Sequence, residues 1–363
     1  MDSENIPATA TYLKDMFESA GNPMGIDPEL MSNWAKNLNL SKQGEILFYA
    51  GMYPNMGYLD VLVKIMELFT AHDIDTNKMI KLSQLLQKFG FGKSVISMLN
   101  TVKKTPNTMI RLAVGKNATK ETIEEAKSIL SHIEELNEKY NKTLILSVKV
   151  LQKLGIDIYY LGSEEPDSGA TLHTYGYIDY YKKQSSNVYT TFKKYNVKKL
   201  VSSDPISIGI MRKYYPRFLP QFDVKLMHFS ELVLLYLKEE HIVKKLDKTV
   251  TIHDPCALAR YFGVTEPIRT LLSKIGLKVI EVKDNKELTR CCGAGGLEFI
   301  YPQVSREMSK ERSLQLVETK AELIVSPCAV CRSTLNMGLN DIKDNREVLD
   351  IPDLVAEAMG INI

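Results

Sequence analysis

Residues 290–296 read RCCGAGG and carry two of the five cysteines in a chain of 363 residues. The full set is Cys256, Cys291, Cys292, Cys328 and Cys331, and the first 255 residues hold no thiol. The order is one cysteine, 34 intervening residues, the adjacent Cys-Cys pair, 35 further residues beginning with Gly293, and a C-x-x-C pair. Adjacent cysteines bridge poorly to each other, because a disulfide needs converging Cβ vectors. Thiolates are soft ligands that select iron–sulfur clusters or zinc over hard cations. Zinc closes at four ligands whereas a cluster of several irons can use five, so the fifth cysteine favours a cluster. A structural zinc site built on four of the five stays open as the alternative.

The elements that must position these thiols are legible around them. TVTIHDPCALARYF (249–262) is a β-branched run followed by Asp254-Pro255, a strand end that leads into a helix with Cys256 at its start, where the helix dipole favours a thiolate. AELIVSPCAVCRSTL (321–335) repeats the arrangement, with Leu323-Ile324-Val325 as a buried strand, Ser326 as the expected N-cap, and Cys328 and Cys331 three apart on the next helix. The three glycines after Cys292 let successive backbone N–H groups curve around an anionic centre. Three strand ends are therefore expected to converge on one point.

Composition sets outer limits. The chain is long enough to bury a substantial core without disulfides. Its apolar content is 44% and its charged content 25%, ordinary for a globular protein. A net charge of +2 lacks the concentrated basic field that nucleic acid or an acidic membrane surface calls for. The longest apolar runs, such as LVLLYL at 232–237, are too short to span a bilayer, and MDSENIPATATYLKD lacks the order of a signal peptide. The reading is a cytoplasmic protein with no direct membrane span and no nucleic-acid partner. In that reducing compartment five cysteines read as metal ligands or redox groups. A P-loop, a nucleophile elbow and a G-x-G-x-x-G run are all missing from the sequence, which removes support for a standalone hydrolase or transferase.

The spacing of the five cysteines resembles the cysteine-rich CCG domain of the heterodisulfide reductase family, as in its B and D subunits. The resemblance implies that Cys256, Cys291, Cys292, Cys328 and Cys331 bind a non-cubane 4Fe-4S cluster, although in some relatives one motif holds zinc. Such relatives usually carry the motif twice. Here the first half offers LGSEEPDSGATLHTYG (161–176), with Asp167 and Ser168 in the cysteine positions and Gly169 kept, and KKLVSSDPISIGIMRKYYP (198–216), with Asp204 and Ser207 in the C-x-x-C positions. Ser168 to Asp204 and Cys292 to Cys328 are both 36 positions apart, and Met52 stands where the first cysteine would be. The first copy is thus expected to be degenerate and without a cluster, since Asp and Ser oxygens hold iron–sulfur clusters poorly. Residues 21–40 resemble the connector that follows a ferredoxin-like domain in fused relatives. Ordinary 4Fe-4S clusters are therefore expected on a partner subunit, completed by either a membrane-bound quinone-linked chain or a soluble flavoprotein.

Strands are expected at 45–50, 156–161, 198–202, 249–253, 277–282 and 322–326, alternating with helices. The fold class is α/β, with two pseudo-repeated Rossmann-like βαβ halves, parallel sheets and a helical insertion in the first half. The division is a helical connector over 1–40, a degenerate first repeat over 41–225 with the insertion at about 72–143, and a bridging helix plus intact repeat over 226–363. One amphipathic helix is expected from Thr119, with Ile123, Ala126, Leu130, Ile133 and Leu136 on its apolar stripe, and another bridging helix over 227–246, in which His228 and Glu231 read first as polar caps of a packed helix and otherwise as residues near the cleft between the halves. His253 is a candidate donor to a cluster sulfur and Arg290 a candidate counter-charge. The Tyr- and Lys-rich stretch 176–195 reads as a solvated helix face. Together these features read as a redox subunit with thiols or disulfides as substrate class, the zinc-bearing scaffold being the alternative.

Overall fold

The computed structural model describes residues 8–74, 117 and 119–362. Among these residues the chain forms eight strands: β1 Ile46–Phe48, β2 Ile158–Tyr159, β3 Lys199–Ser202, β4 Lys225–His228, β5 Thr249–Ile252, β6 Lys278–Val279, β7 Leu323–Val325 and β8 Val348–Leu349. The central four are short, apolar or β-branched, and almost wholly buried, as strands covered by helices on both faces must be. They assemble into two four-stranded parallel sheets of identical order, β2-β1-β3-β4 and β6-β5-β7-β8. Each sheet reverses its strand order beside its first strand, between β1 and β3 or between β5 and β7. The crevice outside the carboxyl ends of the strands at such a point is where open parallel sheets bind ligands.

The correspondence extends to the helices. Ile178–Lys194 and Pro302–Glu318 are both 17 residues long, and Phe229–Tyr236 and Ile351–Ala358 both have 8. The expected α/β class with two repeated parallel halves is therefore the observed architecture. Among the described residues no helix is long and apolar enough to cross a membrane.

Several expectations are corrected. The helix placed over 227–246 is much shorter: Met227 and His228 belong to β4, and the helix runs only from Phe229 to Tyr236. Leu237 leaves the helical region (ψ 116°) to bury its side chain, and the Val243 and Lys244 amides donate to the Ala358 carbonyl, so no helix continues. His228 is buried as the N-cap of that helix, its own amide donating to Glu231 at 2.9 Å. The pair therefore caps a helix. The helix from Thr119 begins as expected, with Thr119 Oγ1 accepting from the Thr122 amide, but it breaks at His132 into Lys120–Ser131 and Ile133–Lys153. Ser131 and His132 both bond to the Ser128 carbonyl, competing with the backbone ladder. Most of the expected insertion, 72–143, lies outside the described residues. Edge strands β4 and β8 were not expected.

A buried polar network joins the two halves. Arg332, immediately after Cys331, donates to Thr143 at 2.9 Å and pairs with Asp350 at 3.4 Å. Tyr53, immediately after Met52, donates to the same Asp350 carboxylate. Ser333 donates to Asp60, which also accepts from Tyr140 at 2.7 Å.

Candidate metal centre

Cys256 and Cys328 leave the carboxyl ends of β5 and β7, the two strands flanking the order reversal. Cys256 follows Pro255 and leads into a π-helix, Ala257–Phe262, a rare winding that concentrates at functional sites. Cys328 is itself the N-cap of helix Ala329–Asp341, with extended backbone, and Cys331 lies in the first turn. Ser326, expected as the N-cap, instead precedes it by two residues, and its amide continues the ladder to the Leu349 carbonyl.

The Cys291–Cys292 corner is set by a glycine that nothing else can replace. Gly293 has φ +94°, and a Cβ there would stand 2.3 Å from the Ser305 carbonyl oxygen. The turn directs the Gly293 amide at Cys291 Sγ, 3.4 Å away.

All five thiols meet. Cys292 and Cys331 sulfurs are 3.3 Å apart. Cys256 and Cys291, Cys291 and Cys292, and Cys328 and Cys331 lie close enough to shift one another's proton affinity. The 3.3 Å separation is well beyond a disulfide bond, roughly 2.05 Å, and all five cysteines are free. Cys291 is held far below the ordinary thiol range by the S–H groups of Cys256 and Cys292, with the Gly293 amide adding to them. Cys256 and Cys331 are pushed up, first by the hydrogen bonds to neighbouring sulfurs and then by burial. The neighbouring sulfurs thus compete for protons. A soft metal centre would replace those protons, which is how thiolate sites couple metal binding to deprotonation.

The supporting groups come mostly from residues that sequence spacing does not advertise. Buried Asp254 takes a two-pronged ion pair from Arg269, both contacts at 2.9 Å, and accepts the Lys286 amide at 2.7 Å. This ties the end of β5 to the loop that leads into Cys291. Arg260, on the π-helix, donates to the Glu287 and Thr289 carbonyls of the same loop. Arg290, expected near the thiolates, instead turns outward to Asp284 at 2.8 Å.

The buried cation is Arg312, at 1% exposure. It donates to His253 Nδ1 at 3.1 Å, to Gln315 at 2.8 Å and to Thr289 at 3.3 Å, with no carboxylate in direct contact. Burying a guanidinium without an anion is costly, so its natural counter-charge is the sulfur site. His253 is kept neutral, pushed down to about 3 by burial and then by Arg312. With Nδ1 accepting from Arg312, the ring proton is on Nε2. A ring nitrogen lies within 4.8 Å of both Cys292 and Cys331, consistent with a donor role toward the sulfurs.

In the first half the corresponding positions also converge, but with oxygen. Ser168 donates to Ser207 at 3.0 Å. Asp204 accepts from the Met52 amide at 3.0 Å and from the Ile206 amide at 3.0 Å, and Glu165 accepts from the Ala50 and Gly51 amides at 3.1 Å. Asp167 accepts from Gly169 at 2.8 Å. Burial pushes Glu165 up to about 8 and Asp167 up to about 7.

Two matched parallel α/β lobes, with thiols gathered at the switch point of one and carboxyls at that of the other, define a two-lobed protein with a single thiolate centre. Residues 250–336 match the model of the cysteine-rich CCG domain. The chain is 33% identical over 223 residues to the D subunit of the dihydromethanophenazine:CoB–CoM heterodisulfide reductase of Methanosarcina acetivorans, covering 59% of this chain and 54% of that one. It is 28% identical over 229 residues to the probable iron-sulfur-binding oxidoreductase FadF of Bacillus subtilis, covering 61% of this chain and 32% of that one. With the EtfAB:quinone oxidoreductase of Syntrophomonas wolfei it shares 27% identity over 235 residues, 61% of this chain and 33% of that one. The chain spans about half the length of the first of these relatives and about a third of the other two.

Proposed function

We propose that this chain is an iron–sulfur redox subunit of a heterodisulfide reductase-like complex. In this reading Cys256, Cys291, Cys292, Cys328 and Cys331 hold one non-cubane 4Fe-4S cluster that serves thiol/disulfide conversion or electron transfer. The observation that carries it is the convergence of the sulfurs: Cys292 and Cys331 are 3.3 Å apart, Cys256, Cys292, Cys328 and Cys331 line one cavity, and Cys291 is close enough to shift Cys256 and Cys292, more soft ligands than one tetrahedral ion uses. When bound, the cluster supplies electrons singly to a sulfur substrate. The chain's own residues do the rest: Gly293 donates a backbone N–H to Cys291, and Arg312 orients His253 and sets a fixed positive charge beside the sulfurs. Asp254, Arg269 and Arg260 hold the loop that carries the Cys-Cys pair. The names of the relatives support oxidoreductase chemistry, and electrons would reach the site through a partner subunit bearing ferredoxin-type clusters, with or without a flavoprotein.

The zinc reading has one favourable observation, the set His253, Cys292 and Cys331 within 4.8 Å of one another. It leaves Cys256, Cys291 and Cys328 without a role, and His253 already accepts from Arg312. Iron, sulfide and zinc analysis of anaerobically purified protein, with electron paramagnetic resonance, separates the two. About four irons and four sulfides per chain are expected; stoichiometric zinc without sulfide would remove the proposal.

A further inference from the structure

A cavity of about 370 Å³ opens beside the thiols, within the size range of small-molecule sites. Cys256, Cys292, Cys328 and Cys331 form one wall, Met52, Ile206 and Ile210 of the first half the wall opposite, and Leu13 and Met24 contribute from the segment before β1. The charge of this lining is its informative feature. Among the described residues it contains no Lys or Arg, and Arg312 is not part of it.

Apart from the thiols and two tyrosines, the titratable side chains of the wall are His173 and Glu298. His173 is pushed below the ordinary imidazole range by burial and by nearby Arg217 and Lys213. Glu298 is buried, pushed up to about 7 mainly by burial, and already accepts from the Gly296 amide at 2.8 Å. A carboxylate or sulfonate entering here would give up its hydration, find no cation in the described lining, with Lys213 and Arg217 engaged on the rings of Tyr261 and Tyr214, and face an electron-rich sulfur centre. An ammonium would find only Glu298, whose carboxyl is engaged by its own loop. Among the described residues the wall holds one fully buried neutral polar side chain without a partner. Asn55 is 1% exposed, and neither its amide nitrogen nor its oxygen has a hydrogen-bond partner among the described residues.

We propose that this cavity is the substrate site and that it selects an uncharged, largely apolar thiol or disulfide, with Asn55 answering a neutral amide or hydroxyl on the ligand. The inference rests on the redox reading above for the sulfur, and on the lining alone for the charge.

Three short thiols that differ only in the group at their far end test it: N-acetylcysteamine (neutral amide), mercaptopropionate (anion) and cysteamine (cation). Each is titrated at neutral pH into the anaerobic holoprotein, with binding read by calorimetry and by perturbation of the metal-centre spectrum. N-acetylcysteamine is expected to bind at least about tenfold more tightly than either charged thiol, the scale of one poorly compensated polar burial. Asn55→Leu is expected to weaken N-acetylcysteamine about fivefold while leaving butanethiol unchanged. Equal or tighter binding of the anion, or a preference for the cation, overturns the proposal, and the wild-type order stands even if the variant misfolds. A holoprotein lacking iron and sulfide defeats the redox reading instead, and the calorimetric order then still decides the charge of the cavity.

Discussion

Ser168 and Ser207 are 39 residues apart and 3.0 Å from oxygen to oxygen; Cys292 and Cys331 are also 39 apart, and their sulfurs are 3.3 Å apart. The same backbone corner has thus been kept in both lobes and given different chemistry. At each switch point the ends of two parallel strands leave backbone amides pointing into a crevice, and these must be satisfied. The first lobe satisfies them with its own carboxyls, Glu165 on Ala50 and Gly51, Asp204 on Met52. Its crevice is filled by protein. The second lobe places sulfur there and surrounds it with buried charge. Asp254 has Ala50 as its counterpart, two residues before Met52 as Asp254 is two before Cys256, and Arg312 has Val188, twenty residues after Ser168 as Arg312 is after Cys292. A buried cation is present where an anionic centre is expected and absent where the crevice closes on neutral groups.

Removing the chemistry from each corner should break this comparison most sharply. Cys331→Ser is expected to abolish bound iron almost completely, whereas Ser207→Ala should leave iron content unchanged and cost about 1 kcal/mol of stability for one lost buried hydrogen bond. Metal analysis and denaturant titration of the two variants give the answer; equal iron loss in both would mean that the first lobe also holds metal. Next in size is Asp254→Ala, which gives the second lobe the first lobe's residue. It strands part of the charge of Arg269 and frees the Lys286 amide, for an expected loss of about 3 kcal/mol. A loss below about 1 kcal/mol would show that Glu281 alone satisfies Arg269.

The five thiols and the doubled sheet were legible because both rest on strong local signals: rare residues at fixed spacing, and β-branched runs ending at Asp-Pro or Ser-Pro. The edge strands were not, because β8 has two residues and β4 reads K-L-M-H, with no period-two alternation. The break at His132 interrupts an unbroken apolar stripe, since Ile133 and Leu136 still pack against the core beyond it. Arg312 was hidden for a related reason. Its helix has no continuous apolar stripe, so a charged residue in it reads as solvated, yet the buried face is Ser305, Ser309, Arg312, Ser313 and Leu316. Small serines recurring on one face were the available signal. They let helix Ala329–Asp341 approach so closely that a Cβ on Gly338 would stand 2.5 Å from Ser309 Oγ.

Arg312 offers a finer test. A fixed positive charge beside the sulfurs stabilises the reduced state of a redox centre, so its removal should lower the midpoint potential. At an effective dielectric of about 20 a nearby unit charge contributes roughly 1–2 kcal/mol, or on the order of 50–100 mV for one electron. Arg312→Gln should show that downward shift in a spectroscopic redox titration, and Arg312→Lys should recover most of it. Unchanged potentials in a folded, iron-replete Arg312→Gln protein would reduce Arg312 to packing.

The smallest expected effect belongs to the first lobe and concerns pH. Asp167 is pushed up to about 7, chiefly by burial, with the Gly169 amide bond opposing the rise and Asp204 adding to it. An acid whose folded pKa lies above its unfolded value, about 3.9, favours the fold fully only below that value, and the advantage is lost as pH rises through about 7. Because Asp167 is only half-buried, the loss should be discounted to about 1 kcal/mol. Asp167→Asn keeps an acceptor for the Gly169 amide and cannot ionise, so it should flatten the decline in melting temperature between roughly pH 4 and 7 and be the more stable protein at the upper end. Glu165, pushed up to about 8, should leave a residual slope in that variant. An identical pH slope in wild type and Asp167→Asn would mean that the carboxyl is ionised in the folded state, and that the first lobe, like the second, stabilises an anion at its switch point.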